Sequence, residues 1–545
     1  MRFTHGFTWA TGLCLSLSGI TRAAQLSSNA QQMLDESMNF MDLIYDADIG
    51  YLHYFYYPLA AGTHETRSSA WYAAGLLQRN QNDDAEQGIK ILRNIIGSQH
   101  KDPTTEWYGD YQYYPEEPTV GTDAYPPAPY GSFDPNWRNF IGTALILIYE
   151  EFQSLLPNDL QQLIIESVYN STVGDTYRLG GLTYGNLNPG YTNPSTMRSI
   201  QASWIGRKLN NANLTAFGEN WAAQVIELFD RNLTLSEFNS ATYTGVTLYA
   251  LTMWDKYLPP DSIMKQNGAR MIKDTWLSLA ETYHPAMKNL AGPWDRSYGY
   301  DMNQYFSLLA LYLWTLLGKE NAPVYDKSWS MAHADDLEYA PLMAILASHH
   351  DALVPTEVIE HLTTFRGEHT YVTSAYAPPG DAVPRNITSW VSDNLTIGAM
   401  SFLDAPGVMD HSQQWNAAVV QWLRFDNSVG FFTLAAGDQH AMDVEVGPNF
   451  LNLTYPHGNS TSTFEFILAT NPWGATRDIP SLDNVSGVDI QVIGGSVNAT
   501  PVVSFCGLAG GACSPRFNFE FWNYTWTMPE DSTSLPSVSF EITAT

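Results

Sequence analysis

The chain has 545 residues, 44% of them hydrophobic and 13% aromatic, so it can bury one large core and a second domain. Its formal net charge of −30 would repel a phosphate backbone, which argues against nucleic acid as a partner. The 17 tryptophans and 31 tyrosines are numerous. We interpret most of them as core residues and expect the remainder to line a glycan-binding cleft.

The N-terminus has the pattern of a signal peptide. Arg2 and His5 give a weakly basic start, and residues 7–20 are largely apolar but too short to span a bilayer. Small residues at Thr21 and Ala23 then predict cleavage after residue 23. No later run of about 20 apolar residues follows, so we expect a secreted protein without a membrane span.

N-glycosylation sequons support secretion, because their density is typical of a eukaryotic secreted glycoprotein. The predicted acceptors are Asn170, Asn213, Asn232, Asn386, Asn394, Asn452, Asn459, Asn484, Asn498 and Asn523. Of the three cysteines, Cys14 leaves with the signal peptide. Cys506 and Cys513 flank a glycine-rich stretch, and an even pair in an oxidising compartment predicts a disulfide.

From about residue 27 to 350, apolar residues recur at three–four spacing, which predicts about eleven helices. The segments run from 31–45, 67–79, 83–98, 135–152, 159–169, 195–209, 215–229, 242–254, 261–283, 302–317 and 341–349. Their number and alternating connections favour an α/α toroid of helical hairpins, complete or incomplete, over a simple bundle. We assign residues 24–365 to this predicted catalytic domain.

The pattern changes near residue 350–385, where Thr, Val, Ser and Gly become frequent. Strand-length apolar or alternating segments follow, such as 419–425, 429–435 and 462–469. We therefore predict a mainly α protein with a β domain, in which residues 366–545 form an antiparallel β-sandwich.

Two polar clusters interrupt the predicted helices. The first, within residues 234–257, places Glu237, Asn239 and Tyr243 directly before a long apolar helix. The second lies one helical hairpin later and contains Trp294, Arg296, Tyr298, Tyr300 and Asp301. A toroid would bring both clusters to one end of its helices, where they can form a carbohydrate-binding cleft.

Two further segments are candidates for the cleft wall. His64, Glu65 and Arg67 come just before a predicted helix, although Glu65 can also serve as a first-turn carboxylate favoured by the helix dipole. Trp107 opens a long aromatic loop that contains Glu116. Long irregular loops are often functional, so we expect this loop to line the substrate.

The two clusters fit β-elimination from a uronic-acid polymer. The C5 proton becomes acidic once the adjacent carboxylate is neutralised, as Asn239 could do by donating hydrogen bonds. A His or Tyr must then take that proton, and a Tyr can return one to the leaving oxygen. His284 and Tyr298 (or Tyr300) are the candidates for these two roles.

This layout resembles the polysaccharide lyases of the chondroitin AC/hyaluronate, alginate and heparinase II/III types, which join an α/α toroid to an antiparallel β domain. Those families use an Asn, then a His, then a Tyr with a nearby Arg, in that chain order. The resemblance implies Asn239 as neutraliser and His284 as base. It further implies Tyr298 as acid/base and Arg296 as substrate anchor. The families' Asn-Asn-His sequence is absent, and Ser240 stands where the alginate type has His.

Two alternatives remain open at this stage. A glycoside hydrolase would need two facing carboxyl groups, for which Glu237 with Asp295 or Asp301 are the candidates, followed by Glu65 and Asp134. A non-catalytic glycan-binding glycoprotein would use the same cleft without turnover. Each residue also has a purely structural interpretation: Asn239 as a helix cap, His284 as part of a helix stop and Asp295–Arg296 as a local ion pair.

The sequence indicates no metal site and no organic cofactor. It contains no H-E-x-x-H and no G-x-S-x-G, and its glycine pairs lack the strand–helix context of nucleotide loops. The expected partner is a polysaccharide or oligosaccharide substrate.

Overall fold

The computed structural model describes residues 25–54, 63–176, 178, 187–407, 415–435, 439–469, 482, 485–506 and 521–545. The predicted signal peptide, the sequon at Asn484 and the predicted disulfide partner Cys513 lie outside these residues. The pairing of Cys506 with Cys513 therefore stays a prediction.

The described helices occupy the first two thirds of the chain. They are α1 (Ser28–Ile44), α2 (Thr66–Arg79), α3 (Asp84–Gly97), α4 (Trp137–Phe152), α5 (Asn158–Asp175), α6 (Thr192–Lys208), α7 (Ala212–Asn232), α8 (Tyr243–Tyr257), α9 (Ile263–Thr282), α10 (Leu308–Leu317), α11 (Ala340–Asp351) and α12 (Thr356–Thr363). None of these helices is both long and apolar enough to cross a bilayer.

The helices form two concentric layers. In the inner layer, α2 packs against α4, α4 against α6, α6 against α8, α8 against α11 and α11 against α2, which closes a ring. Helices α3, α5, α7 and α9 pack outside α2, α4, α6 and α8, and α1 covers α10 and α11. The described helices thus form the predicted α/α toroid.

The sequence assigns each helix to its layer through the width of its apolar face. Helix α3 buries a single stripe that includes Ile91, Leu92 and Ile95, as a surface helix does. Helix α6 is buried nearly all round although it is rich in hydroxyls. Its Thr196 and Ser199 satisfy their hydroxyls by donating to backbone carbonyls one turn earlier, so an inner helix can be polar in composition.

The strands mostly follow the helices. They are β1 (Tyr45–Asp46), β2 (Tyr51–His53), β3 (His64–Glu65), β4 (Tyr283–His284), β5 (Asn289–Leu290), β6 (Trp294–Asp295), β7 (His369–Ala375), β8 (Arg385–Val391), β9 (Leu395–Leu403), β10 (Trp415–Asn416), β11 (Ala418–Leu423), β12 (Val429–Leu434), β13 (Ala441–Gly447), β14 (Phe450–Thr454), β15 (Thr463–Ala469), β16 (Val488–Gly495), β17 (Val502–Cys506), β18 (Phe521–Thr527) and β19 (Ser537–Ala544).

The strands from β7 onward, apart from β10, form one antiparallel sheet of 12 strands that folds back on itself. Strand β9 is the corner, because residues 395–401 pair with β8 and β11 along its two edges, whereas Phe402 and Leu403 pair with β13. Rings from the two layers meet inside: Phe540 of β19 lies 5.4 Å from Phe432, 5.1 Å from Phe466 and 5.4 Å from Trp526, centroid to centroid. The predicted fold class, a helical toroid followed by an antiparallel β domain, is confirmed.

The β domain fastens a loop of the toroid. Strand β6 pairs with β10, so that Asp295 lies opposite Trp415 in the register. Arg385 of β8 is fully buried, and it pairs with Asp295 at 3.3 Å and with Asp381 at 3.1 Å. The residues directly after Asp295 are thereby held against the toroid.

Helix α12 differs from the sequence expectation. The sequence predicted no helix after residue 349, but residues 356–363 are helical and bury Val358 and Leu362. With eight residues, the segment is too short for its apolar periodicity to distinguish a helix from a strand.

The structure contradicts one predicted glycosylation site. Asn170 is only 8% exposed, and its Oδ1 accepts a hydrogen bond of 2.8 Å from the Tyr108 hydroxyl, so a glycan would have to displace the core. The other acceptors in the described part of the chain are exposed or half-buried. The exposed ones are Asn213, Asn386, Asn394, Asn459 and Asn498, and the half-buried ones are Asn232, Asn452 and Asn523.

Candidate active site

A cavity of about 410 Å³ opens at one end of the inner helices. Its lining combines cations, carboxyl groups, phenols and amides. The lining residues are Arg67, Trp71, Tyr130, Asp134, Asn136, Phe140, Tyr191, Asn193, Thr242, Tyr243, Val246, Arg296, Tyr298, Leu308, His333, Asp335, Asp336 and Tyr339.

The inner helices α2, α4, α6, α8 and α11 all begin at this cavity, as does α10 beside them, because residues of their first turns or the residues just before them line it. Helical hairpins produce this arrangement, since each outer helix returns the chain to the end from which the next inner helix starts. The N-terminus of a helix carries a partial positive charge. The cavity is therefore suited to an anionic group in spite of the negative net charge of the chain.

Arg296 is a cation of the cavity that an ion pair and two aromatic rings hold in place. Its Nη1 donates to Glu237 Oε1 at 2.6 Å, and its guanidinium lies 3.7 Å from the ring centroid of Tyr243 and 4.8 Å from that of Tyr191. Its backbone has a φ of 48°, a left-handed conformation that non-glycine residues adopt rarely and often at functional sites.

Glu237 supports this arrangement from behind the lining. Its Oε2 accepts from the backbone N–H of Asn193 at 3.0 Å and from Asn193 Nδ2 at 3.0 Å, while Oε1 accepts from Arg296. The side chain thus positions a cation and an amide of the cavity. It is not among the lining residues, which removes the predicted role of Glu237 as an acid or nucleophile that touches substrate.

Two phenols share a hydrogen bond inside the cavity. The hydroxyl groups of Tyr243 and Tyr298 contact each other directly. Burial raises the pKa of Tyr243 well above its usual value, and the Arg296 guanidinium opposes that rise. Tyr298 keeps 43% of its surface exposed, so it is the phenol of the pair that a ligand reaches more easily.

His333 stacks on the other side of Tyr298, with ring centroids 4.1 Å apart. Its Nδ1 lies 3.4 Å from Asp336 Oδ2 and 3.6 Å from Asp335 Oδ1. Burial alone would lower the pKa of His333, but Asp336 and Asp335 outweigh it and raise the pKa to about 9. The imidazole is therefore a cation at neutral pH, and it lies next to the exposed phenol.

The opposite part of the lining belongs to α2 and α4. Arg67 packs its guanidinium 5.1 Å from the rings of Trp71 and Trp137, which fixes its direction. Asp134 Oδ1 accepts from the backbone N–H of Asn136 at 2.8 Å, and burial raises the pKa of Asp134. The Oδ1 of Asn136 is buried without a hydrogen-bond partner among the described residues.

The structure does not place Asn239 in the cavity. Its Nδ2 donates to the carbonyls of Ala291 and Pro293 at 3.0 and 3.3 Å, and its Oδ1 accepts from Thr282. The side chain is 4% exposed and holds the loop that carries Arg296. The prediction that Asn239 neutralises a substrate carboxylate is therefore wrong, because its amide hydrogens are used inside the protein.

His284 is also remote from the cavity lining. It is 1% exposed, and its Nε2 lies 3.1 Å from the carbonyl oxygens of both Ser392 and Asp393, in the turn between β8 and β9. Burial lowers the pKa of His284, although those carbonyls oppose the shift. Its contact joins the two domains, so the predicted role as base is wrong.

The remaining residues of the second sequence cluster are structural. Trp294 Nε1 donates to the Leu290 carbonyl, Tyr300 packs against Phe431, and Asp301 accepts from Asn289 Nδ2 at 2.6 Å. All are buried behind the loop surface. Together with the ion-paired Asp295, they cannot supply the carboxyl pair that the hydrolase alternative assigned to this cluster.

Three candidates from the N-terminal region also lie outside the cavity lining. Glu65 Oε2 accepts from Ser68 at 2.6 Å, and Glu65 Oε1 lies 3.5 Å from Arg67, so its role is to hold that cation. His64 is buried beside Glu116. The ring of Trp107 lies 6.1 Å from that of Phe133, centroid to centroid.

Sequence reasoning missed His333, Asp335 and Asp336 as site residues. They occupy the start of a short 3-10 segment, Ala334–Tyr339, between α10 and α11, and His333 itself has a φ of 58°. The available signal was the density of charge in a segment without helical periodicity.

Two family models match the chain. One, described as Domain of unknown function (DUF8769), covers residues 31–348, and the other, described as Domain of unknown function (DUF8770), covers residues 367–543. No curated protein matches the chain.

Among solved structures, the chain is similar to heparinase III, with 9% identity and a TM-score of 0.40 over 98% of this chain and 88% of that chain. It is similar to a Paenibacillus xanthan lyase with 9% identity and a TM-score of 0.35, over 95% of this chain and 57% of that chain. It is similar to a chondroitin AC lyase of Streptomyces coelicolor A3 with 8% identity and a TM-score of 0.33, over 98% of this chain and 80% of that chain. The function proposed below rests on the residues of the cavity.

Proposed function

The chain belongs to the family described as Domain of unknown function (DUF8769), and we propose that it is a polysaccharide lyase acting on a uronic-acid-containing glycan by β-elimination. The observation that carries this proposal is the hydrogen-bonded pair of Tyr243 and Tyr298 between two cations, Arg296 and His333. A phenol pair beside fixed positive charge is suited to taking a proton and to stabilising the anion that results.

The cavity would first bind the uronate carboxylate. Arg296 and Arg67 supply positive charge, and the first turns of six helices add their dipoles. Asn136 takes the role that we had expected of Asn239, since its side chain lines the cavity: its Nδ2 donates one hydrogen to the Tyr191 hydroxyl at 3.3 Å, and its second amide hydrogen can donate to the carboxylate. Neutralising the carboxylate makes the C5 proton acidic.

The elimination then needs one group that accepts a proton and one that donates a proton. Tyr298, as phenolate, takes the C5 proton, and the C5–H electron pair becomes the C4–C5 double bond. The C4–O bond breaks with its electrons on oxygen, and that oxygen takes a proton from the phenol pair. Burial raises the pKa of Tyr298, and the Arg296 guanidinium opposes that rise, while Arg296 and protonated His333 would stabilise the enolate during the step.

A glycoside hydrolase is the second candidate, because three carboxyl groups line the same cavity. The pKa of Asp134 is raised by burial, as a general acid requires, while Asp335 and Asp336 face the cationic His333. This version keeps Asp134, which the sequence had already offered, and replaces Glu237, Asp295 and Asp301 with Asp335 and Asp336, which line the cavity.

We also propose that the protein is secreted and glycosylated. The support is the signal-peptide pattern of residues 1–23 together with the exposure of Asn213, Asn386, Asn394 and Asn459. Peptide mapping of the secreted protein after enzymatic deglycosylation would test both, and it should find Asn170 unmodified.

Cleavage in water labelled with the heavy oxygen isotope separates the two enzymatic candidates. Elimination adds no water, so mass spectrometry should find both product ends unlabelled after short incubation. Label in the new reducing end at the moment of cleavage would contradict elimination and favour the aspartates. Absence of any cleavage across uronate polymers would leave a binding protein as the better account.

A further inference from the structure

The small sheet that precedes α2 carries one metal-binding type of side chain on each of its three strands. Asp46 belongs to β1, His53 to β2 and His64 to β3. His53 and His64 lie directly opposite each other in the register. One ligand atom from each of the three residues lies within 4.8 Å of the others.

His64 is prepared as a ligand by its surroundings. The residue is 5% exposed, and its Nδ1 lies 2.5 Å from Glu116 Oε1. A carboxylate at Nδ1 fixes the proton there and leaves Nε2 as a lone-pair donor, as is usual behind metal-bound histidines. The Nε2 atom is buried and makes no hydrogen bond to any described residue. It lies 3.6 Å from Asp46 Oδ2.

Asp46 divides its two oxygens between a turn and the cluster. Oδ1 accepts from the backbone N–H groups of Asp48 and Ile49 at 3.0 and 3.1 Å. Oδ2 is left facing His64 and also His53 Nε2, at 3.9 Å.

We propose that Asp46, His53 and His64 bind one zinc ion, in a site separate from the cavity. Two imidazole nitrogens and one carboxylate oxygen are a donor set that zinc takes readily. Ligands about 2.1 Å from a tetrahedral centre are roughly 3.4 Å apart, close to the separations of 3.6 and 3.9 Å found here. The side chain of His53 is 43% exposed, so solvent can supply the fourth ligand.

The ion would brace one wall of the cavity. Glu116, which orients His64, belongs to the long aromatic loop, so zinc links that loop to β3. Glu65 follows His64 directly and holds Arg67, which lines the cavity. Zinc therefore has a supporting position and does not touch the proposed reacting atoms.

A second cluster of similar composition does not suit zinc. His333, Asp335 and Asp336 also lie close together. However, Thr242 donates to Asp336 Oδ2 at 2.8 Å, and the raised pKa of His333 keeps its imidazole protonated. A protonated imidazole has no lone pair to give to a metal ion.

Calorimetric titration of the metal-free full-length protein with zinc chloride tests the proposal. We expect one zinc ion per chain for the wild type. In His53→Gln and Asp46→Asn the Kd for zinc should rise by at least ~100-fold. In Glu116→Gln, which lacks only the orienting carboxylate, the Kd should rise by about 10–100-fold. His440→Gln is the matched control, because His440 is an exposed histidine beside Asp404.

His53 is half exposed, so without metal His53→Gln and the wild type should unfold at the same temperature. Added zinc should raise the unfolding temperature of the wild type but not that of His53→Gln. The proposal fails if the metal-free wild type binds no zinc. It also fails if His53→Gln and Asp46→Asn keep wild-type affinity, or if binding is lost in His333→Gln instead.

Discussion

The guanidinium of Arg296 lies 3.7 Å from the ring centroid of Tyr243, and Glu237 holds it there through a 2.6 Å ion pair. A buried phenol would ordinarily resist ionisation, because burial raises its pKa. The Arg296 guanidinium opposes that rise in the pKa of Tyr243. Tyr243 in turn shares a hydrogen bond with Tyr298, the more exposed phenol. Burial raises the pKa of Tyr298 on balance, so its proposed role as a base depends on Arg296 and Tyr243, which both lower that pKa.

Replacing Tyr298 with Phe should remove the proton acceptor and leave the fold intact. We expect kcat to fall by about 10²–10⁴-fold, the usual contribution of a general acid–base group. The control is Tyr325→Phe, which deletes a phenol that donates to Gln304 outside the cavity lining. Initial rates for the two purified variants decide the outcome, and equal rates for Tyr298→Phe and the wild type would refute its role.

Glu237→Gln separates a positioning role from a role in touching substrate. The change keeps the shape of the side chain but removes the charge that holds Arg296. We expect kcat/KM to fall by about 10²-fold through misplacement of the cation, with the same unsaturated product. Glu219→Gln is the matched control, since Glu219 pairs with Arg207 outside the cavity lining. Complete loss of cleavage would indicate that Glu237 takes part in chemistry.

His333 should make stability depend on pH in a defined direction. Its pKa in the folded protein is raised from 6.5 to about 9, so its contribution is fully present below about pH 6.5 and is lost as the pH rises through 9. The excess free energy of unfolding of the wild type over His333→Gln should therefore shrink by on the order of 1–3 kcal/mol between pH 6 and pH 9.5. Denaturant titrations at both pH values measure it.

The control for that prediction is His440→Gln, which removes an exposed histidine next to Asp404. Exposed ion pairs contribute little to stability. The difference in free energy of unfolding between the wild type and His440→Gln should therefore change by less than about 1 kcal/mol over the same pH range. A constant difference between wild type and His333→Gln would show that the two aspartates do not hold His333 as a cation.

Arg385→Met should destabilise the junction of the two domains. Arg385 and its partners Asp295 and Asp381 are buried, and removing the cation leaves two buried carboxyl groups without it. We expect a loss of about 3–5 kcal/mol in the free energy of unfolding at neutral pH. Adding Asp295→Asn and Asp381→Asn should recover part of the loss, because those changes remove the buried charges.

A half-exposed pair provides the comparison for Arg385. Arg366 contacts Glu281 at the surface of the same region, and Arg366→Met should cost less than about 1 kcal/mol. Because Asp295 precedes Arg296 directly, Arg385→Met should also reduce activity at temperatures where the protein stays folded. Equal stability of Arg385→Met and the wild type would contradict the proposed clamp.

The sequence predicted the architecture because helical periodicity and strand alternation are local signals. Inner helices such as α8 bury every residue from Thr244 to Asp255, and outer ones bury one stripe, which is the pattern of a two-layered ring. Strands such as β4, β5 and β6, of two residues each, are too short to show alternation.

The site could be predicted only in part. Arg67, Tyr243, Arg296 and Tyr298 were predicted and line the cavity. The roles assigned to Asn239 and His284 were wrong, because spacing along a loop does not reveal which side chains turn inward to bind backbone carbonyls. Their hydrogen bonds to Pro293 and Ser392 depend on contacts that are distant in sequence.

Ultraviolet absorbance tests the central claim most directly. The purified wild type and Tyr298→Phe would be incubated with a panel of uronate-containing polysaccharides, with Tyr325→Phe as control. We predict growing absorbance from the unsaturated uronate with the wild type and with Tyr325→Phe, and almost none with Tyr298→Phe. New reducing ends without that absorbance would contradict elimination and transfer the catalytic assignment to Asp134, Asp335 and Asp336.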